Sequence, residues 1–141
     1  MFTFWLLGHP ARDHVIIRPT SVHPRMDSLT EVETAKPRSI MILYNVTCLV
    51  DDQIREEWLS WMRNEHLPEV MATGKFISYR MFQIDPHDKD DTGTSYSIQY
   101  TAESRQDYLD YTENYGPALK SKTIKKYGDR VMAFRTIMEE L

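Results

Sequence analysis

From Ile40 onward, the chain shows the periodic apolar patterns of a mixed α and β fold. The run IMILYNVTCLV is apolar at most positions and predicts a strand that is covered on both faces. The segment TSYSIQYTA alternates strictly, with Tyr96, Ile98 and Tyr100 on one face of the predicted strand and polar residues on the other. KFISYRMFQI and GDRVMAFRTIM predict two more strands. Two stretches with helical spacing complete the order β-α-β-β-α-β.

This order predicts a ferredoxin-like α+β fold over residues 40–141. Each half runs from a strand through a helix, a proline (Pro68 or Pro117), a short helical piece and a glycine (Gly74 or Gly128) to another strand. Right-handed crossovers in both halves give a four-stranded antiparallel sheet with the helices on one face.

Residues 1–39 differ in composition from the rest of the chain. They hold four of the seven prolines and three of the five histidines, and they show no sustained period. Such a segment buries little apolar surface. Two interpretations stay open: a disordered N-terminal extension, or an extraneous segment upstream of a biological start at Met41.

Composition narrows the classes of function. A net charge of −4 and a pI near 5.7 argue against a nucleic-acid partner. Cys48 is the single cysteine, which excludes an internal disulfide and a multi-cysteine zinc site and favours the reducing cytoplasm. No apolar run reaches the roughly 18 residues that span a bilayer, so we expect no membrane insertion. Phosphate-loop, dinucleotide, zinc-protease and nucleophile-elbow motifs are absent, so no cofactor and no metal are predicted.

The segment WLSWMRNEHLPEVMATGKF, residues 58–76, holds most of the residues that chemistry could use. Ile54, Trp58, Trp61, Met62 and Glu65 fall on one face of a helix, which Pro68 is expected to end or kink near His66. The two tryptophans are interpreted either as core or as part of an aromatic cleft.

The cleft hypothesis places Trp58 and Trp61 opposite three tyrosines of the sheet, Tyr44, Tyr96 and Tyr100. Together the five rings would form a substrate-binding wall of the kind found in small-ligand pockets.

His66 is the candidate catalytic residue. One interpretation is a capping histidine at a helix end. The other is a polar group at the mouth of a pocket that acts as acid, base or ligand anchor.

The second face of the sheet predicts a homodimer. It combines a polar centre, from Asn45 and Thr47 to Ser95, Ser97 and Gln99, with apolar flanks assigned to Leu43, Phe76, Phe82, Val131 and Ile137. Apolar flanks left in water are unfavourable in a monomer, and a second copy would cover them.

Four segments of the chain resemble a known family: MILYNVT, EEWLSWMRNEHLPEVMATGKF, SYSIQYTA and YGDRVMAFRTIMEEL. They look like the small bacterial proteins grouped as domain of unknown function 4286, over residues 41–141. That family is similar in outline to the dimeric α+β barrel group, which includes cofactor-free monooxygenases that oxidise aromatic substrates in an apolar cavity. The resemblance implies a pocket beside Trp58, Trp61 and His66.

Three hypotheses of function follow. The first is a cytoplasmic homodimer that binds a small apolar or aromatic molecule. The second is a cofactor-free monooxygenase or isomerase with His66 as proton carrier. The third is a non-catalytic structural or regulatory module in which the aromatic residues are only core.

Overall fold

Four antiparallel strands form one sheet in the order β2-β3-β1-β4. Their bounds in the computed structural model are Ile42–Asp51 (β1), Ser78–Ile84 (β2), Gly93–Ala102 (β3) and Val131–Glu139 (β4). With one helical layer on the sheet, this order confirms the predicted ferredoxin-like α+β fold. The structure describes residues 38–85 and 92–141. The predicted extension over residues 1–39 therefore lies outside the described residues except for residues 38–39.

Two helical segments cover one face of the sheet. The first consists of α1 (Arg55–Trp61), a π-helical turn (Met62–His66) and α2 (Leu67–Ala72). The second consists of α3 (Arg105–Asn114) and α4 (Gly116–Tyr127), followed by a 3-10 turn (Gly128–Arg130). None of these helices has the length and apolarity needed to cross a membrane.

A serine cap and two glycines mark the ends of these helices, and the glycines lie where the sequence predicts them. The Ser104 hydroxyl accepts a hydrogen bond from the backbone N–H of Asp107 at 3.1 Å and caps α3. Gly74 and Gly128 follow the two helical segments with φ of 71° and 58°. Residues with a Cβ adopt this left-handed backbone only rarely.

The helix does not end near His66, one of the two outcomes predicted for Pro68; its α-helical turns change there to the π turn. Leu67 keeps helical angles (φ −61°, ψ −44°), and its N–H donates to the carbonyl of Met62, five residues back. Proline lacks an N–H, and its ring collides with the carbonyl four residues earlier in a regular α-helix. The wider π turn relieves that collision, so the helix continues through the proline.

The π turn also changes which residues face the sheet. Regular spacing puts Glu65 on the apolar face, but the extra residue in the turn leaves Glu65 exposed. Leu67 takes the buried position instead, with 1% of its surface exposed.

The core lies between the helices and the sheet. Trp58 is fully buried and Trp61 nearly so, so both indoles belong to the core and neither points to solvent. Trp58 packs on Tyr96 of β3 with ring centroids 5.1 Å apart. Other fully buried side chains of the core are Ile42, Val50, Ile98, Leu67 and Val70.

No helix of the described residues covers the other face of the sheet, which we call the open face. The pairing register corrects three of its five predicted apolar flanks. Phe76 is buried in the core, and Val131 and Ile137 pair with Val50 and Tyr44 on the helical side. The apolar residues of the open face are Leu43, Leu49, Phe82, Ile84, Met132, Phe134 and Met138.

Candidate ligand-binding cavity

A cavity of about 590 Å³ lies between the sheet and the helices. Its wall is mostly aromatic and aliphatic. It opens to solvent between β4 and α4, where Lys120, Ile124 and Arg135 of the wall are exposed. The wall residues that matter for its chemistry are Tyr44, Cys48, Trp58, Met62, His66, Tyr100, Tyr108, Tyr111, Leu119, Lys120, Ala133 and Arg135.

Two groups of packed rings connect the helices to the sheet on either side of this space. In the first group, Trp58 packs on Tyr96, and Trp61 contacts His66 and Tyr127 with centroids 4.9 and 5.3 Å away. The second group joins α3 to the sheet, with neighbouring centroids 4.7 to 6.0 Å apart. It consists of Tyr44, Phe76, Tyr100, Tyr108 and Tyr111.

The tyrosines of the cavity wall are held in the neutral form. Burial raises the pKa of Tyr100 and Tyr111 above the usual range of a phenol. Burial also raises the pKa of Tyr44, although the nearby guanidinium of Arg135 opposes the shift. At neutral pH these hydroxyls therefore keep their protons and are available as hydrogen-bond donors.

Arg135 brings a positive charge to the cavity. It lies on β4 opposite Val46, so it points to the helical side of the sheet. Its Nε donates to the Tyr44 hydroxyl at 3.0 Å. Within residues 38–85 and 92–141, Arg135 has no carboxylate within salt-bridge distance. The described residues that line the cavity include Lys120 as a second cation but no Asp or Glu.

His66 lies on the wall at the end of the π turn. Its ring stacks on Trp61, and its buried Nδ1 has no hydrogen-bond partner among the described residues. Burial lowers the pKa of His66; Lys122 adds to this shift, while Glu69 opposes it. The imidazole is therefore neutral near pH 7, and one of its nitrogens can accept a proton.

Four of the six residues predicted from the sequence meet at this cavity. Tyr44, Trp58, Tyr100 and His66 line it. Trp61 and Tyr96 do not; each packs behind a lining residue, Trp61 against His66 and Tyr96 against Trp58. Their functional roles remain predictions.

Sequence reasoning missed Arg135, Lys120, Tyr108 and Tyr111 as wall residues. Alternation along VMAFRTIM puts Arg135 on the same face as Val131, Ala133 and Ile137, which was the available signal. That signal becomes usable only when the pairing of β4 with β1 shows which face the helices cover.

Metal and thiol chemistry find no support at this site. Among the described residues, no three His, Cys, Asp or Glu side chains are grouped so that they could hold a metal ion. Burial raises the pKa of Cys48 to about 12, which keeps its thiol protonated and poorly nucleophilic.

With this geometry in place, the comparison with known families is informative. The model of the family described as domain of unknown function (DUF4286) matches residues 41–141, well over half of the chain. The chain belongs to the DUF4286 family. No curated protein matches its sequence.

Solved structures similar to the DUF4286 domain include two of the EthD type. One is an ethyl tert-butyl ether D (EthD) family protein from Bacillus halodurans C-125, at 11% identity, with 71% of this chain and 99% of that chain covered and a TM-score of 0.55. The other is an EthD-like protein from Ralstonia eutropha JMP134, at 14% identity, 71% and 91% coverage and a TM-score of 0.52. At such low identity the likeness shows a shared fold.

A more distant likeness is to a dimeric ferredoxin-like protein from an uncultured marine organism. The identity is 9%, the coverage is 73% of this chain and 97% of that chain, and the TM-score is 0.46.

The burial of His66 predicts a pH-dependent stability of the DUF4286 domain. Folding lowers the pKa of His66. Below about pH 6.5 His66 is therefore protonated in the unfolded chain but still neutral in the folded protein. As the pH drops from about 6.5 to the lower pKa of the folded state, the free energy of unfolding should decrease. In the His66→Gln variant this part of the pH dependence should disappear.

The measurement is urea unfolding of both proteins between about pH 5 and 7.5, together with an NMR titration of the His66 ring. A His66 pKa at or above its ordinary value would contradict the prediction.

Proposed function

We propose that the DUF4286 domain binds a small apolar or aromatic molecule in the cavity between its helices and its sheet. The observation that carries this proposal is the volume of about 590 Å³ surrounded by buried rings. Ligand pockets typically measure about 300–1,000 Å³ and have mostly apolar walls with a few polar groups. Tyr44, Arg135 and His66 supply such polar groups here.

Packing supports the same proposal. Protein interiors are close-packed, and voids much larger than a water molecule are few. An apolar space of this size forfeits the dispersion contacts that a bound molecule of matching shape would restore. The proposed setting is the cytoplasm, where the buried thiol of Cys48 would stay reduced.

The cavity proposal predicts that filling the space abolishes binding. Native mass spectrometry of protein exposed to a small-molecule extract of its host should show a non-covalent adduct on the wild type. The Ala133→Phe variant, whose new ring projects from the wall, should carry none. Ala72→Phe, at an exposed position at the end of α2, is the matched control and should keep the adduct.

An adduct that survives in Ala133→Phe would place the ligand elsewhere. No adduct on any of the three proteins would favour a non-catalytic interaction module instead.

A second candidate function is proton transfer by His66, which lies on the cavity wall and has a pKa lowered by burial. A neutral imidazole can remove an acidic proton from a bound molecule. In an isomerase the proton would return to another atom of the same molecule. In a cofactor-free monooxygenase, molecular oxygen would be the co-substrate that oxidises the deprotonated molecule.

The enzyme hypothesis predicts a selective effect of His66→Gln. Once a ligand is known, the substitution should lower kcat by about a hundredfold or more and leave ligand affinity within about threefold. Arg63→Gln, at an exposed position in the same π turn, should change neither quantity. Turnover by His66→Gln at the wild-type rate would show that His66 has no catalytic role.

We also propose that the open face of the sheet packs against the open face of a second copy. Two apolar margins flank the polar centre of this face, which we call the polar stripe. Met132, Phe134 and Met138 form the margin on β4, and Phe82 and Ile84 form the margin on β2. Phe134 and Met132 expose 60% and 51% of their surface, which is unfavourable in water.

The arrangement of the face favours an identical partner over a different one. A two-fold axis that runs in the interface through the stripe places apolar margin on apolar margin and stripe on stripe. Some polar groups of the stripe already have hydrogen-bond partners within one chain. Ser97 donates to Asn45 at 2.6 Å, and Asn45 donates to Thr47 at 3.1 Å. The described strands present two charged residues on this face, Arg80 on β2 and Asp51 at the end of β1.

The dimer proposal predicts that a charge in the margin separates the copies. Light scattering at micromolar concentration should give a dimeric mass for the wild type and a monomeric mass for Phe134→Glu. Leu109→Glu, on the exposed side of α3, removes another exposed apolar side chain, outside the open face, and should stay dimeric. A monomeric wild type would contradict the proposal.

A further inference from the structure

We propose that the molecule bound in the cavity carries a carboxylate, and that Arg135 and Tyr44 hold it at the mouth between β4 and α4. This inference rests on the proposed binding function and names the class of its ligand: an aromatic or alkyl carboxylic acid in its ionised form.

The hydrogen bonding of Arg135 favours a carboxylate ligand. Its Nε donates a hydrogen bond to the Tyr44 hydroxyl at 3.0 Å. Its two terminal nitrogens have no hydrogen-bond partner within the described part of the chain. A guanidinium presents parallel N–H groups that match the two oxygens of a carboxylate. The bond through Nε fixes the side chain while leaving this pair of N–H groups for a ligand.

The positive charge of the cavity wall also favours an anionic ligand. Arg135 and Lys120 are its cationic wall residues, and the described wall contains no acid. The chain as a whole carries a net charge of −4, so this distribution is opposite to the average of the protein. An anion in the mouth therefore meets two cations and no nearby repelling carboxylate on the wall.

The cavity changes from charged at its mouth to apolar in its interior. Arg135 and Lys120 are exposed, so a carboxylate beside them keeps part of its hydration. Farther in, Trp58 and Ile98 are fully buried and Leu119 is nearly so. A ligand with one charged end and an apolar body matches both regions. One guanidinium and one hydroxyl suit a monoanion better than a phosphate dianion, which needs more donors.

The test compares probes that differ only in charge. 2-Naphthoate and 2-naphthamide have nearly the same shape, as do decanoate and decanamide. By calorimetry, at least one acid should bind the wild type about tenfold or more tightly than its amide. In Arg135→Gln this preference should vanish, with amide affinity within about threefold. Arg135→Lys should keep part of it. Arg63→Gln, an exposed arginine outside the wall, should behave like the wild type.

The outcomes separate the two proposals. If acid and amide bind equally and Ala133→Phe blocks both, the cavity binds ligands but the carboxylate inference is wrong. If neither pair binds at millimolar concentration and the host extract gives no adduct, both proposals are wrong. Circular dichroism of each Arg135 variant establishes that it is folded. If Arg135→Gln is unfolded, the comparison with Arg135→Lys decides, because a lysine that keeps the full preference contradicts a role for the guanidinium fork.

Discussion

The spacing between the helices and the sheet is set by large rings, and the cavity depends on that spacing. Trp58 is fully buried and lies 5.1 Å from Tyr96, so α1 cannot move closer to the sheet without a clash. On the other side, Tyr108 and Tyr111 of α3 rest on Tyr44 at 5.4 and 6.0 Å. Rings have few rotamers and do not compress, so two such contacts hold the helical layer off the sheet between them. The candidate site is thus a consequence of how the core is packed.

The π turn connects this packing to the chemistry of the wall. Pro68 would collide with the carbonyl of Asn64 in a regular α-helix, and the wider turn removes the collision. The same extra residue puts Leu67 in the core and leaves His66 next to it, on the wall. Regular helical spacing would place Glu65 on the apolar face instead of Leu67. Such turns occur often at functional sites, and this one ends at a titratable side chain of the cavity wall.

The sequence predicts those features that depend on short-range pattern. Alternation in β1 and β3 assigns Tyr44, Tyr96 and Tyr100 to the core, and helical spacing assigns Trp58 and Trp61 to the sheet. It fails where a long-range contact or a break in period decides the outcome. The π turn reverses the expected position of Glu65, and the pairing of β4 with β1 reverses that of Ile137. The hydrogen bond from Arg135 to Tyr44 joins residues 91 positions apart, so no local pattern reveals it.

Strand β4 contributes side chains to both faces of the sheet. Its alternation puts the apolar side chains of the open face and the side chains of the cavity wall on opposite sides. Met132, Phe134 and Met138 point to the open face, whereas Ala133 and Arg135 point to the cavity. A copy packed on the open face would cover the first set and leave the cavity mouth turned away from it. Each protomer would then hold a complete site from its own residues, and ligand affinity would depend on dimer formation only through the stability of β4. Among the described strands, β4 lies at the edge of the sheet and pairs with β1 alone. A partner that buries its outer side chains would therefore also stabilise the backbone that carries Arg135.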